Sequence, residues 1–273
     1  MKKLGFIGGG NMAEALARGL LEGKIFKPSE VIVSDVDAGR RRRINRMLKV
    51  AVTDDNLQVI RESRAILLAV KPQQIDEVLS GLASAKTINL HEKLFVSIAA
   101  GITIARLMRA LGKKARIIRV MPNAPAMVGR GMAALVRSKG ASKTDETFAL
   151  KIFRAVGDAV ALTNEALLDP VTALSGSGPA YVYLFVKALA DAAANEGIPR
   201  DLALRMALKT VEGAEYNMRM SKLAPAELIS IVASRGGTTE AALKRFAAAG
   251  FSDIVAAAVH AAADRSRELG REF

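Results

Sequence analysis

The chain has 273 residues and a mass of 29.0 kDa, enough for two modest domains that each bury a core, and 51% hydrophobic with 25% charged residues excludes extended disorder. Cysteine is absent and histidine occurs only at His91 and His260, which excludes disulfides, thiolate nucleophiles and cysteine-held metal, so no metal site is expected. Forty Lys and Arg against 27 Asp and Glu leave a formal charge of +13, which raises nucleic acid, acidic membrane and small anionic ligands as partners.

The charge distribution and the apolar runs narrow that choice. Between Lys93 and Lys143 there are eleven basic residues and no acidic one, but they are scattered through apolar sequence with hardly any aromatic residue. Without stacking aromatics or a groove-reading motif, no nucleic-acid partner is expected. The longest apolar runs, such as residues 65–70, are strand-sized and far from the ~18 residues of a membrane span. The opening MKKLGFIGGGNMAEA places glycines and Glu14 where a signal peptide needs an apolar core, so a cytoplasmic protein with no membrane association is expected.

In chain order, Lys3–Ile7 is a short apolar strand, Asn11–Glu22 has helical periodicity, Val31–Asp35 is a β-branched strand and Ala65–Val70 is a further strand closed by Pro72. Leu94–Ala99 and Arg116–Met121 continue the strands with a helix at Thr103–Leu111 between them, and Met132–Arg137 and Ala159–Leu162 extend the sheet. The alternation predicts an α/β domain of βαβ units on a parallel sheet over residues 1–162. From 163 to 273 the pattern is all-α: Pro179–Glu196, Arg200–Met220, Ala226–Ala233, Thr239–Ala249 and Ser252–Leu269, with Gly197 and Gly250 as stops and Ser252 as an N-cap. These helices are alanine-rich and apolar on more than one side, more than a small monomeric bundle buries, so their surplus face predicts a homodimer.

Directly after the first strand, Gly8-Gly9-Gly10-Asn11-Met12-Ala13 fits G-x-G-x-x-A and runs into a helix. In this pattern Gly8 permits a tight turn, Gly10 lets backbone N–H groups approach a pyrophosphate, and Ala13 lets the helix pack closely with its positive end toward the phosphates. The alternative is a plain glycine-rich turn. The second strand ends at Ser34-Asp35, where a carboxylate would accept the ribose hydroxyls of NAD and repel the extra phosphate of NADP. Arg40-Arg41-Arg42-Arg43 follows, able either to clamp a 2′-phosphate or to form the solvated face of the next helix, and the two cues conflict. Farther on, Ser234-Arg235-Gly236-Gly237-Thr238-Thr239 brings free N–H groups and two hydroxyls to a helix start, a geometry suited to a carboxylate, or else simply a helix capped by Thr238 or Thr239.

At these residues the chain resembles the pyrroline-5-carboxylate reductase family over essentially its whole length: FIGGGNMA, Ala69-Val70-Lys71-Pro72, SIAAGI (97–102), RVMPNAP (119–125), LSGSGPAYVY (174–183) and SRGGTTEAAL (234–243). The resemblance implies a Rossmann domain followed by a helical dimerisation domain, with homodimers assembling into larger rings, a decamer of dimers among them. It implies NADP(H) as cofactor, with NAD(H) the alternative, and reduction of 1-pyrroline-5-carboxylate to L-proline by hydride transfer to the imine carbon and protonation of the ring nitrogen. It further implies that Ile7, Gly8, Gly9, Gly10, Asn11 and Met12 cradle the pyrophosphate, and that Ser34, Asp35 and Asn56 face the adenosine ribose. Ala69, Val70, Lys71 and Pro72 with Ala99 and Ala100 would line the nicotinamide path, Gly237, Thr238 and Thr239 would hold the substrate carboxylate, the Thr239 hydroxyl would stand near the ring nitrogen as the catalytic group, and Glu165 would lie near the substrate. Three positions depart from the family pattern: Arg235 replaces a common Pro, Ser230 an often acidic residue, and Asp35 an often uncharged one. A β-hydroxyacid dehydrogenase would carry its lysine four residues after the Gly-x-Gly turn, where this chain has Val182. A dinucleotide-binding protein without catalysis is the remaining alternative.

Overall fold

The computed structural model describes residues 1–83 and 88–272. In the N-terminal part the elements run β1 (Lys2–Ile7), α1 (Asn11–Glu22), β2 (Val31–Ser34), α2 (Ala38–Leu48), β3 (Ala51–Thr53), α3 (Asn56–Glu62), β4 (Ser63–Leu68), α4 (Ile75–Ala83), β5 (Leu94–Ser97), α5 (Ile104–Leu111), β6 (Arg116–Pro122), β7 (Gly131–Arg137), α6 (Lys143–Arg154) and β8 (Gly157–Ala161). They form one eight-stranded sheet in the order β3-β2-β1-β4-β5-β6-β7-β8. All pairings are parallel except β6 with β7, which is antiparallel. The order reverses at β1 and β4, paired from Leu4 with Ala65 to Ile7 with Leu68, and a crevice for a ligand opens at the carboxyl ends of such neighbouring strands.

The central strands read as near-continuous apolar runs because helices cover both faces, with Phe6 and Leu67 in one buried cluster and Ile7 and Ile66 in the other. Helix α1 buries Ala13, Leu16, Ala17 and Leu20, the i, i+3, i+4, i+7 stripe of an amphipathic helix. Helix α5 buries Ile104, Leu107 and Leu111, begins where Thr103 Oγ1 accepts from the Arg106 N–H at 3.2 Å, and ends at Gly112 with φ +96°.

The chain divides into two compact units: Met1–Ser177 together with the residues from Ala261 onward, and Gly178–His260. This differs from the boundary expected at 162/163, placed where strand signals stop. The segment that follows β8 is a string of short helical turns, including α7 (Leu168–Val171) and a wide turn over Thr172–Gly176, that packs with the sheet. Leu168 and Ala173 are fully buried there, and Ser266 Oγ donates to Asp169 Oδ1 at 2.7 Å, tying the chain's last turns to the same unit.

The second unit is all-helical, with α8 (Gly178–Asn195), α9 (Arg200–Ser221), α10 (Pro225–Val232), α11 (Thr238–Ala248) and the first part of α12 (Phe251–Glu272). Gly197 and Gly250 terminate helices with φ +98° and +67°, as expected. Ser252 is not an N-cap: the turn at Gly250 lets Phe251 begin α12, so Ser252 is already inside the helix. The unit buries few side chains, Val186, Ala190, Ala203 and Ala207 among them, while Tyr183, Leu184, Ile231, Val232 and Ile254 are more than 60% exposed. No single described helix is long and apolar enough to cross a membrane, although α11 and α12, bent by 51°, reach that length and composition together.

Candidate active site

The glycine turn after β1 opens a cavity of about 430 Å³ at the sheet's switch point. Gly8 stands at φ +95° and donates its N–H to Ser34 O at 2.9 Å, and a Cβ there would lie 2.8 Å from Ala69 O. Only glycine allows β1 to turn this close to the end of β4. At Gly10, by contrast, a Cβ would meet nothing within 4 Å, and this residue is the N-cap of α1 with no side-chain partner for the first amides of the helix. The open space in front of these N–H groups and the positive end of the helix fit a pyrophosphate.

Of the residues expected at the cofactor, the cavity gathers Ile7, Gly8, Gly10, Asn11, Asp35, Asn56, Ala69, Val70 and Lys71. Ser34 is fully buried behind it and donates to Asn56 Oδ1 at 2.6 Å, so its role is to orient Asn56. Met12 packs on the core, Gly9 turns its N–H away to Asp35 Oδ2 at 2.8 Å, Pro72 starts the turn before α4, and Ala99 with Ala100 follows β5 outside the cavity lining. The cavity also takes in Gln74, Glu77, Val78 and Gly81, which belong to no recognisable motif and leave no signal in the sequence.

Asp35 does not present a free carboxylate. Its side chain is 5% exposed, Oδ2 accepts from the Gly9 N–H and from Arg40 Nη1 at 2.9 Å, and Oδ1 accepts from the Asp37 N–H at 2.9 Å. Burial alone would raise its pKa, but the two amides and the Arg40 guanidinium outweigh it and hold the carboxyl below the ordinary 3.8.

A second cluster forms where β6 meets the turns after β8. Glu165 Oε1 accepts from Ile104 N and from Arg119 Nη1, both at 2.8 Å, so this carboxylate joins the segment after β5 to a nearly buried arginine on β6. Asn123 Nδ2 donates to Ser175 O at 3.1 Å while its Oδ1 accepts from Met132 N at 2.8 Å. The RVMPNAP and LSGSGP segments therefore meet, and a Cβ on Gly176 would stand 2.6 Å from the tip of Met121. Arg119 and Asn123 both lie in the RVMPNAP motif, but the sequence assigns neither a role. Their signal is an arginine within strand β6 and an asparagine directly after it, where a buried polar group needs a fixed partner.

The second unit carries the SRGGTT turn. Gly236 sits at φ +74°, the Gly237 N–H donates to Ser234 O at 3.0 Å, and Gly237 rather than either threonine is the N-cap of α11. With a glycine at the cap, no side chain among the described residues caps the amides of Thr238, Thr239 and Glu240, and the first bond into the helix runs from Ala241 N to Gly237 O at 3.2 Å. Glu240 folds back to accept the Gly236 N–H at 2.5 Å and pairs with Lys244 at 2.9 Å, which pulls its carboxyl below the ordinary range through the Lys244 contact first and the amide second. A turn held in this way presents donors to a carboxylate.

Comparison with known proteins sets this arrangement in a family. The description "Pyrroline-5-carboxylate reductase dimerisation" matches residues 165–269, and "NADP oxidoreductase coenzyme F420-dependent" matches residues 3–101. The pyrroline-5-carboxylate reductase of Synechocystis sp. is 41% identical over 270 residues, covering 99% of both chains. The chain belongs to the pyrroline-5-carboxylate reductase family. The Methanosarcina acetivorans reductase is 40% identical over 271 residues, 99% of each chain. Among solved structures, the reductase of Coxiella burnetii superposes with a TM-score of 0.90 at 33% identity, and that of Plasmodium falciparum, with NADP bound, with 0.87 at 31%, each covering 98% of both chains. A Rossmann-type sheet domain followed by a helical region that carries the reductase family's dimerisation match is thus the architecture of this chain as well.

Proposed function

We propose that the chain reduces 1-pyrroline-5-carboxylate to L-proline with NADP(H), NAD(H) serving as the alternative cofactor. The observation that carries this reading is full-length similarity to pyrroline-5-carboxylate reductases on a fold whose glycine turn leaves the α1 amides open. When bound, the nicotinamide cofactor supplies a hydride to the imine carbon. The chain's own task is then binding, orientation and one proton, which explains how a protein with no Cys and two His can catalyse the step.

In this reading the Gly10, Asn11 and Met12 amides bind the pyrophosphate, and Asn56, oriented by Ser34, faces the adenosine ribose. Lys71 is exposed at the cavity rim and adds positive charge, while Ala69 and Val70 supply a smooth wall. The amides of Thr238 and Thr239 hold the substrate carboxylate, Gly237, whose own N–H is taken by Ser234 O, shapes the turn as N-cap, and the Thr239 hydroxyl stands by the ring nitrogen that gains the proton. In the first unit, Ala99 and Ala100 line the nicotinamide path, and Glu165, bound to Ile104 N and paired with Arg119, holds the segment after β5 in place. The apolar face of the second unit supports a homodimer, and larger rings up to a decamer of dimers belong to the same proposal.

The test is oxidation of NADPH and of NADH by the purified protein with 1-pyrroline-5-carboxylate, followed by nicotinamide absorbance, with L-proline identified as product. Proline formation dependent on both reactants is expected. Dinucleotide binding without turnover would refute the reductase and leave a binding protein.

A further inference from the structure

The residue at the end of β2 poses a contradiction that the structure resolves. A carboxylate at this position ordinarily accepts the two ribose hydroxyls of NAD and disfavours the 2′-phosphate of NADP. Here three of the roughly four lone-pair positions of the Asp35 carboxylate are already used, by the Gly9 and Asp37 amides and by Arg40. Its charge is paired and its side chain buried, so it offers a ribose little and repels a phosphate weakly.

The four arginines that follow are not equivalent. Arg41 is occupied: Nη1 donates to the carbonyls of Asp35 at 2.7 Å and Val36 at 3.1 Å, and Nη2 pairs with Asp54 at 3.2 Å. Arg43 reaches across to Glu14 on α1 at 3.2 Å, and Arg42 lies outside the cavity lining. Arg40 alone among them lines the cavity, 48% exposed, with Nη1 bound to Asp35 and the rest of its planar five-donor fork at the rim. A guanidinium held this way is preorganised for a phosphate without being committed to it.

We infer that Arg40 is the residue through which this chain distinguishes the 2′-phosphate of NADP(H) from the free hydroxyl of NAD(H), while Asp35 is a positioning residue that fixes the Gly9 turn and anchors Arg40 at the cavity rim. The inference rests on the dinucleotide reading above. It explains how an acidic residue at the end of β2 coexists with NADP use, since Asp35 is spent on the protein and neutralised by the very side chain that meets the phosphate.

Calorimetric binding of adenosine 2′,5′-bisphosphate and of 5′-AMP to the full chain tests it without turnover. The wild type should bind the bisphosphate more tightly. Arg40→Gln should weaken the bisphosphate at least tenfold, because it removes a charge-assisted donor and uncovers the Asp35 charge, and should leave 5′-AMP within about twofold. Arg42→Gln should change neither. Asp35→Asn should weaken both probes by loosening the Gly9 turn, and the bisphosphate at least as much as 5′-AMP because Arg40 loses its anchor, and thermal unfolding of each variant separates this from loss of fold. Equal loss of both probes in Arg40→Gln, or an unchanged preference, would overturn the role of Arg40. Selective loss of 5′-AMP in Asp35→Asn would restore Asp35 as a ribose acceptor and overturn the inference. A wild type that binds neither probe would refute the dinucleotide reading itself.

Discussion

Gly8 and Gly10 stand two residues apart in one motif, yet substitution to alanine should fail in different ways. At Gly8 an alanine must hold φ +95°, which costs a non-glycine residue about 1–3 kcal/mol, and its Cβ would meet backbone atoms of Ala69 at 2.8 and 2.9 Å. Backbone cannot swing aside as a side chain can, so overpacking adds about 1–3 kcal/mol. Together these give a loss of roughly 2–6 kcal/mol, or a fall of roughly 4–24 °C in the melting temperature of a unit this size. At Gly10 the backbone is extended, φ −67° and ψ 178°, and a Cβ meets nothing. Alanine there forfeits only a preferred cap residue, at most about 1 kcal/mol. Its methyl does, however, hold a phosphate oxygen off the α1 amides, and losing one charge-assisted hydrogen bond of about 1.5–3 kcal/mol weakens NADPH binding roughly tenfold to a hundredfold. Thermal unfolding by circular dichroism and NADPH titration by fluorescence read the two effects separately. Gly10→Ala melting as low as Gly8→Ala, or binding NADPH as the wild type does, would refute the reasoning.

Three further outcomes are expected. Thr239→Val should keep the melting temperature and lower turnover roughly tenfold to a thousandfold, the order found for one donor in a preorganised site, and unchanged steady-state kinetics would remove Thr239 from the reaction. Asp145 is buried, which alone would raise its pKa, but Arg116 and the Ser142 amide and hydroxyl outweigh this and hold it below 3.8. A lowered folded value means stability that is present above 3.8 and lost as the pH falls below it, so Asp145→Asn should cost about 1–3 kcal/mol in urea unfolding at neutral pH, and the two proteins should converge in acid. A constant difference at every pH would show that the charge is not the source. Leu184, 68% exposed on α8, belongs to the apolar surface of the second unit, and Leu184→Glu should shift the protein toward monomer in light scattering; an unaltered mass would place the dimer contact elsewhere.

Much of the sheet domain is legible in sequence because its signals are local. The strand, glycine motif and amphipathic helix from Lys2 to Glu22 lie within one window, and the helix bounds expected at Asn11 and Glu22 are those observed. Strand β3 escapes a reading of this kind, since three residues, Ala51–Thr53, at the sheet edge carry too little periodicity to register. Side-chain type suggests Ser252, Thr238 and Thr239 as N-caps, whereas the chain turns on Gly250 and on Gly236 before the Gly237 cap, both at positive φ, where backbone freedom decides the start. Asp35 illustrates a further limit. Its position after a strand is readable, but the direction of its carboxylate depends on the Gly9 amide 26 residues away, a pairing that exists only once β1 and β2 lie side by side.

The division of the chain also bears on synthesis. Residues 1–177 hold the eight described strands and leave the ribosome first, but the partners of Asp169 and Gly101 are Ser266 and Leu269, far later in the chain. A methyl on Gly101 would lie 3.3 Å from Leu269, so this glycine is shaped for a neighbour that arrives some 170 residues later. The first unit to begin folding is therefore completed only after the second has been made, and a nascent chain that has reached His260 still lacks the contact that closes the segment after β5.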